Sequence, residues 1–250
     1  MRNIAIVLTG TIVPQAKYVK YRNYEKRRQE YLANLRYYSQ FAPVFFLENS
    51  GYDIQADADF TSIANITYRS FKADNEYEQD IGYQEFSMLD TWEKTEPNMP
   101  EAWFKISGRY RIENFAQLFA QCSSGKYDIV IEMNELMRWA DTYLFFCSTT
   151  FYRSAIEGLY RYCGPYSSIE QIIFNYLIAR DRRSFMTIFV VAPAYQVTRG
   201  GTGVVVCNGL GFAERYLARP INYRLHPTGI LYPSASKIVD KIKKILLDAI

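Results

Sequence analysis

Trp103-Phe104-Lys105-Ile106-Ser107-Gly108-Arg109-Tyr110-Arg111-Ile112-Glu113-Asn114-Phe115 is the stretch on which the reading of this chain turns. Phe104, Ile106 and Gly108 alternate with Lys105, Ser107 and Arg109, the period of a strand with one packed and one polar face. The glycine admits another backbone or a ligand at close range. Behind Glu113-Asn114, the residues Phe115, Leu118, Phe119 and Cys122 recur as they do on a helix. A strand delivering Lys, Ser and Arg to its C-terminal end, just before a helix start, is well placed to hold a phosphate. Helix starts offer free N–H groups and the positive end of the dipole. A surface strand that carries two cations for solubility alone is the plain alternative.

Working outward toward the N-terminus, Ile4–Leu8 is a short apolar run that predicts a buried strand, turned by Thr9-Gly10-Thr11. Ligands of open α/β sheets sit at the C-terminal ends of strands, so Thr9, Gly10 and Thr11 are candidate nucleotide contacts, or an ordinary turn. Residues 23 to 42 read as a helix with Tyr24, Tyr31, Leu35, Tyr38 and Ala42 inward; the run Lys26-Arg27-Arg28 reads as its solvated face. Arg22, just before it, is within reach of a phosphate. Val44–Leu47 is a second strand, and its exit Glu48-Asn49-Ser50-Gly51 is polar. Ile66–Phe71 is a third. After the acidic segment 74 to 80, Gly82-Tyr83-Gln84-Glu85 opens a helix bearing Phe86, Leu89 and Trp92, ended by Pro97 and Pro100. Gly82 relieves the backbone where this helix meets a ligand. Gln84 and Glu85 either face that ligand or complement the helix dipole.

Toward the C-terminus, Tyr127–Met133 and Tyr143–Cys147 are further strands. Ser148-Thr149-Thr150 caps a helix that Gly164-Pro165 breaks. Ser167-Ser168-Ile169-Glu170 opens the next helix, and Ser167-x-x-Glu170 as a capping box gives Glu170 a purely structural reading. Phe185–Ala192 is the last strong strand. Arg199-Gly200-Gly201-Thr202-Gly203 can wrap a phosphate through backbone N–H groups, with Arg199 and Gly201 as contacts, or serve as a lid. It lacks the Lys-[Ser/Thr] ending and the place of a P-loop, so a P-loop NTPase and a standard Rossmann cofactor site are disfavoured. Lys237–Ile250 is a basic amphipathic helix, fit to pack on the domain or to lie on an anionic membrane surface. The alternation of strands and helices predicts βαβ units and a mostly parallel sheet flanked by helices.

With 250 residues, 49% of them apolar and including 22 Tyr and 16 Phe, the chain can fill the core of one α/β domain. A net charge of +3 leaves no nucleic-acid footprint. The four Cys lie far apart, and His226 is the single histidine. Zinc sites, Ser-His-Asp triads and His-based metal sites are therefore disfavoured, and a reduced cytosolic chain is expected.

The central stretch resembles the K-x-[ST]-G-R-Y-x-[VI]-x-N motif of bacterial glycosyltransferases that build lipopolysaccharide O-antigen and capsule chains. The segments Ile4–Gly10, Gly82–Glu85, Ser168-Ile169-Glu170-Gln171 and the loop from Pro193 to Gly203 fit the same family. The resemblance implies a GT-A-like, Rossmann-type sandwich filling residues 1–250. Residues 1–115 would be the nucleotide-sugar half and 116–233 the acceptor half, followed by the C-terminal helix at 234–250. It implies a nucleotide-sugar donor, a glycan or lipid-linked glycan acceptor, and work at the cytoplasmic face of the membrane. Lys105 and Arg109, with Ser107, would neutralise the leaving diphosphate in place of a metal, since no Asp-x-Asp stands at a strand exit. Glu48 and Asn49 would meet the base or ribose. Glu170 would be the general base, with Glu85, Asp90 and Glu132 in reserve. Three competing readings share these residues: a non-catalytic nucleotide- or sugar-binding module, a phospho- or acyltransferase, and a scaffold of a polysaccharide-assembly complex.

Overall fold

The computed structural model describes residues 2–16, 19–72, 81–123, 127–134, 137–179, 186–187, 189–198, 203 and 205–207. The apolar runs become β1 (Ile4–Gly10), β2 (Val44–Glu48), β3 (Ile66–Ser70), β4 (Ala102–Ser107), β6 (Ile129–Asn134), β7 (Trp139–Ser148) and β8 (Met186–Thr187). Between β4 and β6 lies the two-residue β5 (Arg111–Ile112). The larger sheet has the order β3-β2-β1-β4-β7-β6-β8. Every neighbouring pair is parallel except the two that β7 makes, which are antiparallel. The expected α/β sandwich with a mostly parallel sheet is thus what the chain forms. Its first half, 3-2-1-4, is the strand order of a doubly wound nucleotide-binding unit.

Helices cover both faces. The helices are α1 (Tyr24–Tyr38), the short α2 (Ala58–Thr61), α3 (Ile81–Thr95), α4 (Phe115–Cys122), α5 (Thr149–Ala155) and α6 (Ile169–Ala179). Alternate residues of the same strands feed two cores. Ile6, Leu8, Phe46, Phe104 and Ile106 pack with Leu35 of α1 and Phe115 of α4. Val7, Leu47, Trp103 and Phe145 pack with Trp92 of α3 and Ile173 of α6. Parallel strands buried on both faces read as continuous apolar runs, which is why these were visible in the sequence.

One expectation fails here. β4 has no polar surface: Ala102 to Ile106 are all buried, Lys105 completely so. The strand lies between β1 and β7, and its second face is covered by α3. The run Lys26-Arg27-Arg28 is likewise not a plain solvated face, because Arg27 is 4% exposed. The strand expected over 185–192 is described as strand only at Met186–Thr187. A second, three-stranded sheet was not foreseen: β9 (Tyr195–Thr198) pairs antiparallel with both β5 and β10 (Val205–Cys207). The C-terminal helix expected at 234–250 lies outside the described residues.

Candidate active site

β1 is hydrogen-bonded to β2 on one side and β4 on the other. The chain order reverses direction at that point, where open α/β sheets form their ligand crevice, at the C-terminal strand ends. The two strands stay paired to their ends, where glycines stand. The Gly108 N–H donates to Thr9 O at 2.7 Å, and a Cβ on Gly108 would stand 2.8 Å from that oxygen and 3.0 Å from the Tyr31 ring. A Cβ on Gly10 would stand 2.6 Å from the Phe46 ring. What approaches these glycines is therefore backbone and aromatic ring. Beyond them opens a cavity of about 720 Å³, a size that suits a ligand of nucleotide or sugar dimensions. Its walls take in both sides of residue 115, from Thr9 to Val197.

One end of the cavity is acidic. The first turns of α3 present Ile81, Gln84, Glu85 and Met88 along one face, and Glu85 is the centre of a tight network. Glu85 Oε1 accepts from Ser107 Oγ at 3.0 Å and from Thr9 Oγ1, and Lys105 Nζ lies 2.7 Å away. Lys105 also donates to Ser107 Oγ at 2.9 Å and to Thr142 O at 2.7 Å. An ammonium has three N–H groups, and all three have a partner. The cation expected at the diphosphate is therefore held beneath the cavity, bound to a carboxylate; it does not line the cavity wall. Burial holds the Lys105 pKa below its ordinary value, against the opposing pull of Glu85 and Glu170. Glu85 Oε2 takes no hydrogen bond from any described residue, and the side chain lines the cavity.

Glu170 faces the same space from α6, its Oε1 accepting from Thr142 Oγ1 at 3.0 Å. The expected capping box is shifted by one residue. The Ser168 and Gln171 side chains bond each other's backbone N–H groups, at 3.5 and 3.4 Å. Ser167 Oγ instead donates to Tyr162 O. Glu170 is therefore not the partner of Ser167; its carboxylate meets the Thr142 and Ser168 hydroxyls and its own backbone N–H. Burial raises its carboxyl above the ordinary range, and the nearby Glu85 charge adds to this. Asp141, which sequence reasoning missed, lines the cavity too. β7 runs antiparallel, so its first residues, Trp139 to Tyr143, extend along the cavity; the reversed strand direction left no signal in the sequence.

The other end is basic. Arg109 Nη1 donates to Thr198 O at 2.5 Å and lies 3.4 Å from Glu30 Oε2, with the guanidinium 5.4 Å over the Tyr21 ring. Arg27, from α1, also lines the cavity. Its Nε donates to Thr11 O at 2.9 Å, Nη2 to the same oxygen, and Nη1 to Tyr21 O at 3.2 Å. Burial lowers its pKa. Arg27 stands three residues after Tyr24 and four before Tyr31, so the helical spacing sets it apart from Lys26 and Arg28; the loop at Thr11 then folds over it.

The remaining candidates divide. Thr9, Gly10, Thr11, Asn49, Gln84 and Ser107 line the cavity, and Thr11 Oγ1 bonds Asn49 Oδ1 at 2.5 Å. Glu48 does not: it is fully buried, and its carboxylate accepts the N–H groups of Ile12, Ser50 and Gly51 and the Ser50 hydroxyl. It builds the loops of the crevice and is closed to a base or ribose. Gly82 is in the first turn of α3 but off the cavity wall. Arg22 is used locally, donating to Val19 O and Ala16 O. Of the reserve carboxylates, Asp90 holds the Tyr152 hydroxyl and the Gly158 N–H, and Glu132 holds the Phe189 N–H. Both are structural. Arg199 and Gly201 lie outside the described residues. Among the described residues, no three His, Cys, Asp or Glu side chains converge as a metal site requires, and no helix is long and apolar enough to cross a membrane.

No protein-family model matches the chain, and no curated protein matches it significantly. Among solved structures it is similar to mouse xyloside xylosyltransferase 1, at 8% identity and a TM-score of 0.43, over 75% of this chain and 84% of that one. It is similar to S. aureus TarS residues 1–349, at 11% identity and a TM-score of 0.43, over 71% of this chain and 56% of that one. It is also similar to a 4-diphosphocytidyl-2C-methyl-D-erythritol synthase of Anaerococcus prevotii, at 11% identity and a TM-score of 0.43, over 88% and 96%. Likeness at this level decides nothing about the chemistry of the cavity.

Proposed function

We propose that this chain is a glycosyltransferase that moves a sugar from a nucleotide-sugar donor to a growing bacterial surface polysaccharide, such as O-antigen, lipopolysaccharide or capsule. The observation that carries the reading is that Glu85 and Glu170 share one cavity with Arg109, at the switch point of a doubly wound sheet. The resemblance of Lys105 to Asn114 to the motif of such enzymes supports it. In this reading an acceptor hydroxyl oxygen forms the new bond to the anomeric carbon while the bond to the diphosphate oxygen breaks. The electron pair leaves with the diphosphate, beside the Arg109 guanidinium, whose fork suits phosphate. The hydroxyl proton passes to Glu170, the cavity carboxylate whose raised pKa fits a base. A single displacement of this kind inverts the anomeric carbon. Glu85, held by Lys105, Ser107 and Thr9, offers Oε2 to a sugar hydroxyl, so Lys105 is a positioning residue. The transfer is metal-independent, and the acceptor is presented at the cytoplasmic face of the membrane.

The test is a thermal-shift panel of nucleoside diphosphates and nucleotide sugars, with and without EDTA. A ligand that binds only the folded state raises Tm by mass action. One nucleotide class should raise Tm, and EDTA should leave that shift unchanged. A shift that needs metal overturns the metal-free step, and no shift with any nucleotide overturns the reading. With the donor identified, Glu170→Gln should lower kcat by about 10²–10⁴-fold. The wild-type rate should fall on the acid side of an apparent pKa above the ordinary carboxylate range. A binding or scaffold protein would show neither effect.

A further inference from the structure

Among the described residues, the basic end of the cavity holds more positive charge than it balances. Arg27 and Arg109 share Tyr21: Arg27 donates to its carbonyl, and Arg109 lies over its ring. The one described carboxylate between them is Glu30, which is 3.4 Å from Arg109 and accepts the Tyr21 hydroxyl at 3.0 Å. No described carboxylate lies within ion-pair distance of Arg27, whose hydrogen bonds all go to neutral oxygens of Thr11, Tyr21 and Tyr31. It is 4% exposed. A charge taken out of water without a counter-charge is among the costliest arrangements in a protein. Here the cost is retained at a cavity wall. The guanidinium has five N–H groups, and the bonds above leave one on Nη1 without a described partner.

We infer that Arg27 and Arg109 form a two-arginine site for the diphosphate of a ligand, with Arg27 the cation that only the ligand's charge completes. This rests on the transferase reading and deepens it: Arg27, not Lys105, is the second cation at the leaving group. Lys105 is spent on Glu85, and Arg109 is half-matched by Glu30. The Thr11 carbonyl, which takes two N–H groups of Arg27, fixes the guanidinium plane, so a phosphate meets the remaining Nη1 N–H and its charge already oriented.

The probe is inorganic pyrophosphate, titrated calorimetrically into wild-type protein, Arg27→Gln and Arg109→Gln. Glutamine at position 27 keeps an N–H donor for Thr11 O while removing the charge. Each variant should weaken pyrophosphate by about 10- to 100-fold, the scale of one charge-assisted bond. If Arg27 served only to hold the Thr11 loop, Arg27→Gln would lower Tm and leave the affinity unchanged, and that result overturns the inference. A measurement on wild-type protein guards against a variant that does not fold. The Nε–Hε resonances of Arg27 and Arg109 should both move as pyrophosphate is added; movement of Arg109 alone overturns the inference.

Competition then names the source of the diphosphate. A nucleoside diphosphate that displaces pyrophosphate assigns the site to the donor; a prenyl diphosphate that displaces it where nucleotides do not assigns it to a lipid-linked acceptor. In that second case the two-arginine site stands while its role at the donor's leaving group falls. If Arg27→Gln binds pyrophosphate normally while nucleotide sugars still bind and turn over, the function stands and the Arg27 site falls.

Discussion

At the acidic end of the cavity, Glu85 is fixed by three donors, one of them the fully buried Lys105, whereas at the basic end Arg27 and Arg109 have the single described carboxylate Glu30 between them. The first arrangement is complete before any ligand arrives. It sets where a carboxylate oxygen points, at the expense of a cation that does not reach the cavity. The second is incomplete, and it leaves a field for an anion to fill. Position comes from the matched end and attraction from the unmatched one. That division suits a reaction in which a neutral hydroxyl must be oriented and a charged leaving group stabilised.

The contrast is most open to attack at Lys105. Lys105→Met should remove the counter-charge from the partly buried Glu85 and cost about 2–3 kcal/mol in urea unfolding, below the usual scale for breaking a fully buried pair because Glu85 reaches the cavity. A loss under about 1 kcal/mol would mean that the matched end is not matched by this residue. At the other end, Arg109→Ala should reach the reaction before the fold. A loss of about 10²–10³-fold in kcat is expected with the donor found in the thermal-shift panel, and the change in Tm should be small beside it. An equal fall in both quantities would make the basic end a structural element like its opposite.

The smallest effect concerns Glu170. Its pKa is raised in the folded protein by burial, so folding favours the protonated form. The stability this lends is full below the unfolded carboxylate pKa and is lost as pH rises through the folded value. At neutral pH the charged side chain is a burden, and Glu170→Gln should raise Tm. The difference should close as the pH falls below the ordinary carboxylate range. A variant that gains stability while losing turnover would mark Glu170 as kept for chemistry.

The fold was largely legible because strands packed on both faces write themselves as apolar runs, as Ile4–Leu8 and Val44–Leu47 do. The site was legible in its membership more than in its roles. Lys105 and Ser107 alternate with Phe104 and Ile106, and alternation is the same whether the second face meets water or a carboxylate on a covering helix. Glu48 sits at a strand exit, as a ligand contact would, yet four donors of its own neighbouring loops occupy it. Two overlapping capping boxes begin at Ser167 and Ser168, and only the structure selects the one closed by Gln171 and not by Glu170. Arg27 was missed although it stands four residues before Tyr31 on the inward face, and Asp141 because the antiparallel course of β7 leaves no local signal.

Gly108 limits which substitutions the crevice can tolerate. The smallest side chain there would press on Thr9 O at 2.8 Å and on the Tyr31 ring at 3.0 Å, and backbone cannot step aside as a flexible side chain can. The strain is on the order of 1–3 kcal/mol, and relieving it means prising β1 from β4 where their ends define the mouth. Charged residues around the cavity can drift in compensating pairs over evolutionary time; a contact distance cannot be compensated by a distant change. Any relative that retains this mouth should retain glycine here, so the position sorts true kin from chains that share only the sheet.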